Sequence, residues 1–301
     1  MPRATLRVHL VLIAVAVLFS LNYILGKIAL RHFQPFPFAW VRVASAALIL
    51  NLWSRRSGLM QAPLTGSDRK SLWLYAVLGV VINQLLFIKG LSMTTAHEAA
   101  ILITTIPVFT LAAAVFVGRE QLTVRKIGGI ALALSGALFV LGFAPLSGDP
   151  RILIGDLLIL TNCLSFSLYL VLSKRLASVI TPARMVAFMF AAGTILMLPF
   201  TITGLMSTEW RAIPASAWIA LAAIVVGPTA VAYLLNAWAL SRADSSTVAI
   251  YSYLQPFVAA VLATLFLGEV IKPSAVVGAA LIFAGVFLVT SGPRSAIDAS
   301  T

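Results

Sequence analysis

Ten apolar runs, each of a length suited to a membrane-crossing helix, follow one another with little chain between them. They fall near residues 8–30, 36–53, 71–90, 96–117, 124–142, 153–173, 183–204, 214–237, 245–267 and 273–291. A hydrocarbon layer about 30 Å thick takes about 20 helical residues to cross. Ten crossings therefore use roughly 200 residues, and the remainder of the 301 cannot hold a large water-soluble domain. A soluble surface is excluded as well. Charged residues make up 10% of the chain and apolar ones 61%, with mean hydropathy +1.04, whereas soluble domains carry about 25% charged residues. Barrel strands do not fit, because the runs are too long and lack two-residue alternation. The expected fold is an all-α integral membrane protein with ten transmembrane helices.

The net charge of +12 would suggest nucleic acid in a soluble protein. Here the basic residues sit between apolar runs, so they report membrane orientation and no nucleic-acid partner is expected. With the N-terminus inside, 14 Lys and Arg fall on the inner side and 6 on the outer, with Arg42 inside the second span. That bias puts both termini in the cytoplasm and the chain in the inner (plasma) membrane. Arg3 and Arg7 before the run from Val8 imitate a secretory signal. The run continues past Leu18 to Asn22 without a clear A-x-A site, so it is read as the first transmembrane helix. Cys163 is the single cysteine and forms no intrachain disulfide.

The chain also resembles itself. An offset of 149 residues lays Leu91-Ser92 on Leu240-Ser241, Pro107 on Pro256, Glu120 on Glu269, Gly129 on Gly278 and Gly136 on Gly285. Shared apolar composition does not readily align Pro, Glu and two Gly at once. Lys27 and Lys174 correspond more loosely, at the ends of spans one and six. Two five-helix repeats follow, at 1–144 and 150–292, with a cytoplasmic tail at 293–301. An odd span number inverts the second repeat against the first. Inverted repeats build many secondary transporters, because exchanging the two repeat conformations opens opposite sides. A duplicated bundle held by packing alone is the other reading.

The closing stretch of the second repeat runs from Gln255-Pro256 through Leu267-Gly268-Glu269 to Gly278 and Gly285. It resembles the end of an EamA domain of the drug/metabolite transporter superfamily. Pro107 through Gly118-Arg119-Glu120 to Gly129 and Gly136 looks like the same ending, with Gly-Arg-Glu in place of Leu-Gly-Glu. Asn22 and Lys27 in span one and Arg42 in span two resemble the family's opening. The resemblance covers nearly the whole chain. It implies a ten-helix permease that moves small metabolites, commonly amino acids, mostly outward.

Polar side chains deep in the runs are the candidate pocket: Asn22, Tyr23, Asn83, Gln84, Thr105, Asn162, Ser165, Tyr169, Tyr233, Asn236, Tyr251 and Gln255. Buried polar groups need partners, and each of these is either interhelical glue or a solute contact. Asn162, Ser165 and Tyr169 share one helix face, as do Tyr251 and Gln255. As a set they outline a polar, nearly uncharged pocket suited to a neutral or zwitterionic solute. Pro107 and Pro256 interrupt spans four and nine, either as packed kinks or as bends around the site. His97 and Glu98 are a possible proton-coupling pair or a water-exposed outer pair. Lys27 and Lys89 attract a carboxylate or snorkel, and Arg42 makes a salt bridge or a carbonyl contact. Glu120 and Glu269 cap neighbouring helices or pair with nearby cations. The repeated glycines make spans five and ten packing helices or a dimer surface.

No residue is expected to be catalytic or to bind metal, and no cofactor is expected. H-E-x-x-H, G-x-G-D, G-x-S-x-G and a G-x-x-x-x-G-K-[ST] phosphate loop are all missing. The expected partners are a small-molecule solute and the lipid bilayer, with the chain a monomer or dimer. A multidrug or lipophilic-cation exporter of the same fold is the alternative function, and an intramembrane enzyme a distant one.

Overall fold

In a computed structural model of the chain, residues 3–56, 65–94, 96–141, 149–267 and 273–290 are described. Helix follows helix, and no strand occurs among the described residues. The first half holds α1 (Arg3–Ala29), α2 (Pro35–Arg56), α3 (Gly66–Met93), α4 (Ala96–Ile103 continued by Ile106–Phe116) and α5 (Val124–Leu141). The second holds α6 (Pro150–Val179), α7 (Pro182–Ser207), α8 (Ala215–Leu240), α9 (Ser245–Ile250 continued by Leu254–Leu267) and α10 (Pro273–Thr290). Seven stretches among the described residues are long and apolar enough to cross a membrane: Leu6–Ala29, Pro35–Ser54, Gly66–Met93, Ala99–Phe116, Pro150–Val179, Pro182–Ser207 and Ala215–Leu240. Val276–Val289 in α10 is apolar but shorter. The outside of the bundle shows Leu157, Ile195, Phe200, Ile219 and Phe287, a surface that lipid solvates and water does not.

Local sequence sets the helix ends. Thr65 and Asp68 form a reciprocal capping box at the start of α3, and Asp149 and Thr181 cap α6 and α7 just ahead of Pro150 and Pro182. Gly118 stops α4. Its φ of +71° lets the Gly118 and Arg119 amides turn back onto the Val115 and Ala114 carbonyls, the left-handed ending that glycine adopts without strain. This gives the Gly in Gly-Arg-Glu its purpose.

The two prolines break their helices just upstream of themselves. Pro107 lacks the amide that would continue α4, and the chain turns at Thr104 and Thr105, whose hydroxyls donate back to the Ile101 and Leu102 carbonyls at 2.5 and 2.7 Å. Ahead of Pro256, α9 tightens into a 3₁₀ turn at Tyr251–Tyr253. A different irregularity marks the third helix of each half. α3 widens into a π-helical turn at Val77–Ile82, and α8 does so at Val225–Val231, so the 149-residue offset carries one turn onto the other.

Packing repeats the same relation. α5 and α10 cross at the glycines, where an added Cβ on Gly136 would meet the Gly278 carbonyl at 2.5 Å and one on Gly285 the Gly129 carbonyl at 2.5 Å. Gly129 thus faces Gly285 and Gly136 faces Gly278, so these two helices run antiparallel. Lys27 donates to the Leu91 and Thr94 carbonyls, both at 2.6 Å, and Lys174 donates to those of Leu240 and Ala243 at 3.0 and 2.9 Å. Each lysine closes the carbonyl end of the third helix of its own half. Lys27 is therefore held by backbone. Glu120 accepts from the Ser246 amide at 3.1 Å and from its hydroxyl, capping α9 from the other half, and pairs with Lys126 at 2.6 Å.

Candidate functional site

A cavity enclosing about 740 Å³, its open mouth included, lies in the middle of the bundle. α1 contributes Phe19, Asn22 and Tyr23; α2 contributes Arg42; α3 contributes Asn83, Gln84 and Phe87. Asn162 and Phe166 come from α6, Tyr233 and Asn236 from α8, and Tyr251, Ser252 and Gln255 from α9. Ile103 and Ile106 line it where α4 breaks, and Tyr251 and Ser252 where α9 tightens. The two helix interruptions thus flank the same space.

Side chains from distant parts of the chain meet there. Tyr23 donates to Gln255 Oε1 at 2.8 Å. Gln84 Nε2 donates to the Tyr233 hydroxyl at 2.9 Å, and that hydroxyl lies 2.8 Å from Asn83 Oδ1 and 3.1 Å from the Gly79 carbonyl, either of which takes its proton. Asn162 Nδ2 donates to the Asn83 carbonyl at 2.8 Å. Arg42 Nε donates to Thr229 Oγ1 at 2.6 Å, and Thr229 passes its own proton to the Ile224 carbonyl at 2.7 Å. Several of these bonds end on carbonyls at or beside the π turns, those of Gly79, Asn83 and Ile224.

Two contacts locate the cavity on the relation between the halves. Gln84 and Tyr233 are 149 residues apart and touch. Phe19 and Phe166 are 147 apart, as Lys27 and Lys174 are, and their rings meet edge-on at 6.4 Å. A residue and its copy can touch only beside the axis that exchanges them. The cavity therefore sits on that axis.

Five of the residues that line the cavity carry a buried polar atom with no hydrogen-bond partner among the described residues: Asn22 Oδ1, Arg42 Nη1, Gln84 Oε1, Asn236 Nδ2 and Ser252 Oγ.

Nine of the twelve pocket candidates line this cavity: Asn22, Tyr23, Asn83, Gln84, Asn162, Tyr233, Asn236, Tyr251 and Gln255. Thr105, Ser165 and Tyr169 do not. Thr105 is spent on its own helix break. Ser165 donates to the Leu78 carbonyl at 2.8 Å, and the Tyr169 ring packs where a Cβ on Gly79 would meet it at 2.8 Å. The side chains of His97, Glu98 and Glu269 lie outside the described residues. Among the described residues, no group of three or more His, Cys, Asp or Glu is placed to hold a metal ion.

Arg42 is the main departure from the sequence reading. Among the described residues it makes neither a salt bridge nor a carbonyl contact; it holds a hydroxyl and lines the cavity, to which it brings a charge. Among the described lining residues no Asp or Glu faces it. Phe19 and Phe166 also line the cavity without being among the sequence candidates, although the 147-residue offset between them is a readable signal. His9, also unremarked in the sequence, bonds the Tyr251 hydroxyl through Nδ1 and ties α1 to α9 beside the lining.

The chain is similar to known proteins along most of its length. An uncharacterised transporter of Archaeoglobus fulgidus is 28% identical over 288 residues, 95% of this chain and 98% of that one. A probable terminal-alkyne amino-acid exporter of Streptantibioticus cattleyicolor is 32% identical over 212 residues, 70% of this chain and 69% of its own. A crystal structure 19% identical in sequence superposes with a TM-score of 0.78, covering 95% of this chain and 96% of that one, which shows a common fold. The EamA-like transporter family matches twice, over residues 6–142 and 153–291. With one copy of the family's unit in each half and relatives aligned along nearly all of its length, the chain belongs to the EamA-like transporter family.

Proposed function

We propose that the protein is a secondary permease that exports or exchanges small metabolites, amino acids foremost, by alternating access around the central cavity. In this reading ten helices cross the inner (plasma) membrane as two inverted five-helix units, 1–144 and 150–292, with both termini cytoplasmic. The observation that carries it is the meeting of Gln84 with Tyr233, and of Phe19 with Phe166, at a polar cavity on the axis between the halves. A site on that axis faces either side when the halves exchange conformations, which is what a carrier needs. The antiparallel α5–α10 crossing supports inversion. The amino-acid exporter of Streptantibioticus cattleyicolor supports the substrate class. A lipophilic-cation exporter is disfavoured by a lining that holds a guanidinium and no described carboxylate.

Counterflow in proteoliposomes tests the proposal. Vesicles loaded with an unlabelled amino acid should accumulate the labelled form transiently when they carry the protein and not when they are empty. A panel of labelled amino acids and related metabolites that all fail to exchange, with monodisperse protein, would overturn it.

A further inference from the structure

We infer that the cavity selects its solute by a carboxylate, taken at Arg42, and that an amino group on the solute is dispensable. The inference rests on the permease reading and names the substrate class of that same cavity: small monocarboxylates with an apolar body.

Arg42 is 1% exposed and lies in the second helix of its half, where the offset of 147 residues puts Met189 in the other. Its Nε is fixed by Thr229, whose hydroxyl is itself fixed to the Ile224 carbonyl. Its Nη1 is buried and has no partner among the described residues. A guanidinium is always charged and presents its donors as a planar fork that fits a carboxylate. Left alone among apolar walls it is costly, far more so than an unpaired amide or hydroxyl. A monoanion entering the cavity removes that cost, whereas a cation adds to it.

Apart from Arg42, the lining residues that carry unpartnered polar atoms are uncharged. Asn22 Oδ1 and Gln84 Oε1 are acceptors and Asn236 Nδ2 is a donor, all uncharged. An ammonium finds amide oxygens there and no described carboxylate to neutralise it, so a hydroxyl in its place is accommodated equally well. Phe19, Phe87 and Phe166 supply the apolar wall for a side chain.

The test uses matched sets of probes on the purified full-length protein in detergent, built on leucine and on phenylalanine. Each set holds the amino acid, its 2-hydroxy acid and its amide. Binding is read as ligand-dependent thermal stabilisation titrated to saturation. The expected result is that amino acid and 2-hydroxy acid bind within about threefold of each other, while the amide binds at least about tenfold more weakly, as loss of one member of a buried charge pair predicts. Arg42→Gln should lose acid binding and the acid-over-amide preference, and Arg42→Lys should keep part of both. Should Arg42→Gln fail to elute as a monodisperse species, the wild-type comparison of acid with amide still decides. Amides that bind as tightly as acids, acids that do not bind in either set, or a folded Arg42→Gln that binds acids like wild type would each overturn the inference. Counterflow separates the two readings. Exchange of amides but not acids leaves the permease standing and removes the carboxylate site. Acid binding without exchange of any solute leaves the site and removes the permease.

Discussion

Replacing Gly136 by alanine adds one methyl group at the place where α5 and α10 cross. The new Cβ would stand 2.5 Å from the Gly278 carbonyl oxygen and 2.8 Å from the Ile282 amide nitrogen, both backbone atoms that no rotamer change can move aside. The helices must separate, and overpacking of this kind costs about 1–3 kcal/mol. Alanine itself recovers up to about 1 kcal/mol of helix propensity, which the neighbouring Gly128→Ala isolates, because its nearest foreign atom is a Leu288 methyl at 3.8 Å. Gly285→Ala is the counterpart 149 residues on, with its Cβ 2.5 Å from the Gly129 carbonyl and 2.7 Å from the Ala133 amide nitrogen. Its cost should match that of Gly136→Ala to within about 0.5 kcal/mol, the level to which independent effects reproduce. For a chain of this size 1 kcal/mol moves the melting midpoint by about 2–4 °C. Fluorescence-detected size-exclusion after graded heating should therefore show both variants melting on the order of 5 °C below wild type, with Gly128→Ala at or above it. The double variant should lose less than the sum, because one separation of the helices relieves both clashes. Gly136→Ala melting together with Gly128→Ala would refute the close crossing.

Other expectations follow from single contacts. Tyr233→Phe removes the hydroxyl that joins Gln84 to Asn83 and should slow counterflow with unchanged membrane abundance; an unchanged rate would take that hydroxyl out of the working site. Asn162→Ala unpairs the Asn83 carbonyl beside the π turn of α3 and should cost about 1–3 kcal/mol of stability as well as transport, readable in the same melting assay. Lys27→Met and Lys174→Met each strip two carbonyl bonds from the end of a third helix, and their melting shifts should be alike, about 1–3 kcal/mol apiece, if the halves are equivalent. Glu120→Ala should destabilise more than Glu120→Gln, since the amide keeps an acceptor for the Ser246 backbone N–H while it loses the ion pair with Lys126 and the oxygen that accepts from the Ser246 hydroxyl.

The helical spans and their punctuation were legible because membrane crossing fixes their length, and because proline and glycine act locally. Pro107 and Pro256 announced the breaks in α4 and α9, and Gly136 and Gly285 announced the α5–α10 crossing. Helical spacing also grouped Asn162, Ser165 and Tyr169 correctly on one face. That face, however, looks onto α3, where Ser165 reaches the Leu78 carbonyl and Tyr169 covers Gly79, and only Asn162 extends to the cavity. A helical wheel gives an azimuth and not the neighbour it points at. The π turns were only half legible: each is an extra residue in one helical turn, and while Pro228 stands inside the turn of α8, no proline marks that of α3. For Arg42 the sequence offers a salt bridge or a carbonyl contact, whereas the hydroxyl that orients it comes from Thr229 in α8, far away in sequence.

The repeat is imperfect where it matters most. Were the two halves identical, an outward-facing state and its inward-facing twin would be related by symmetry and degenerate in intrinsic energy. Gln84 faces Tyr233 across the axis, and Arg42 corresponds to Met189, so exchanging the halves puts unlike side chains into each other's surroundings. The degeneracy is lifted. In the alternating-access cycle proposed above, unlike pairs such as these contribute to setting on which side the empty protein waits.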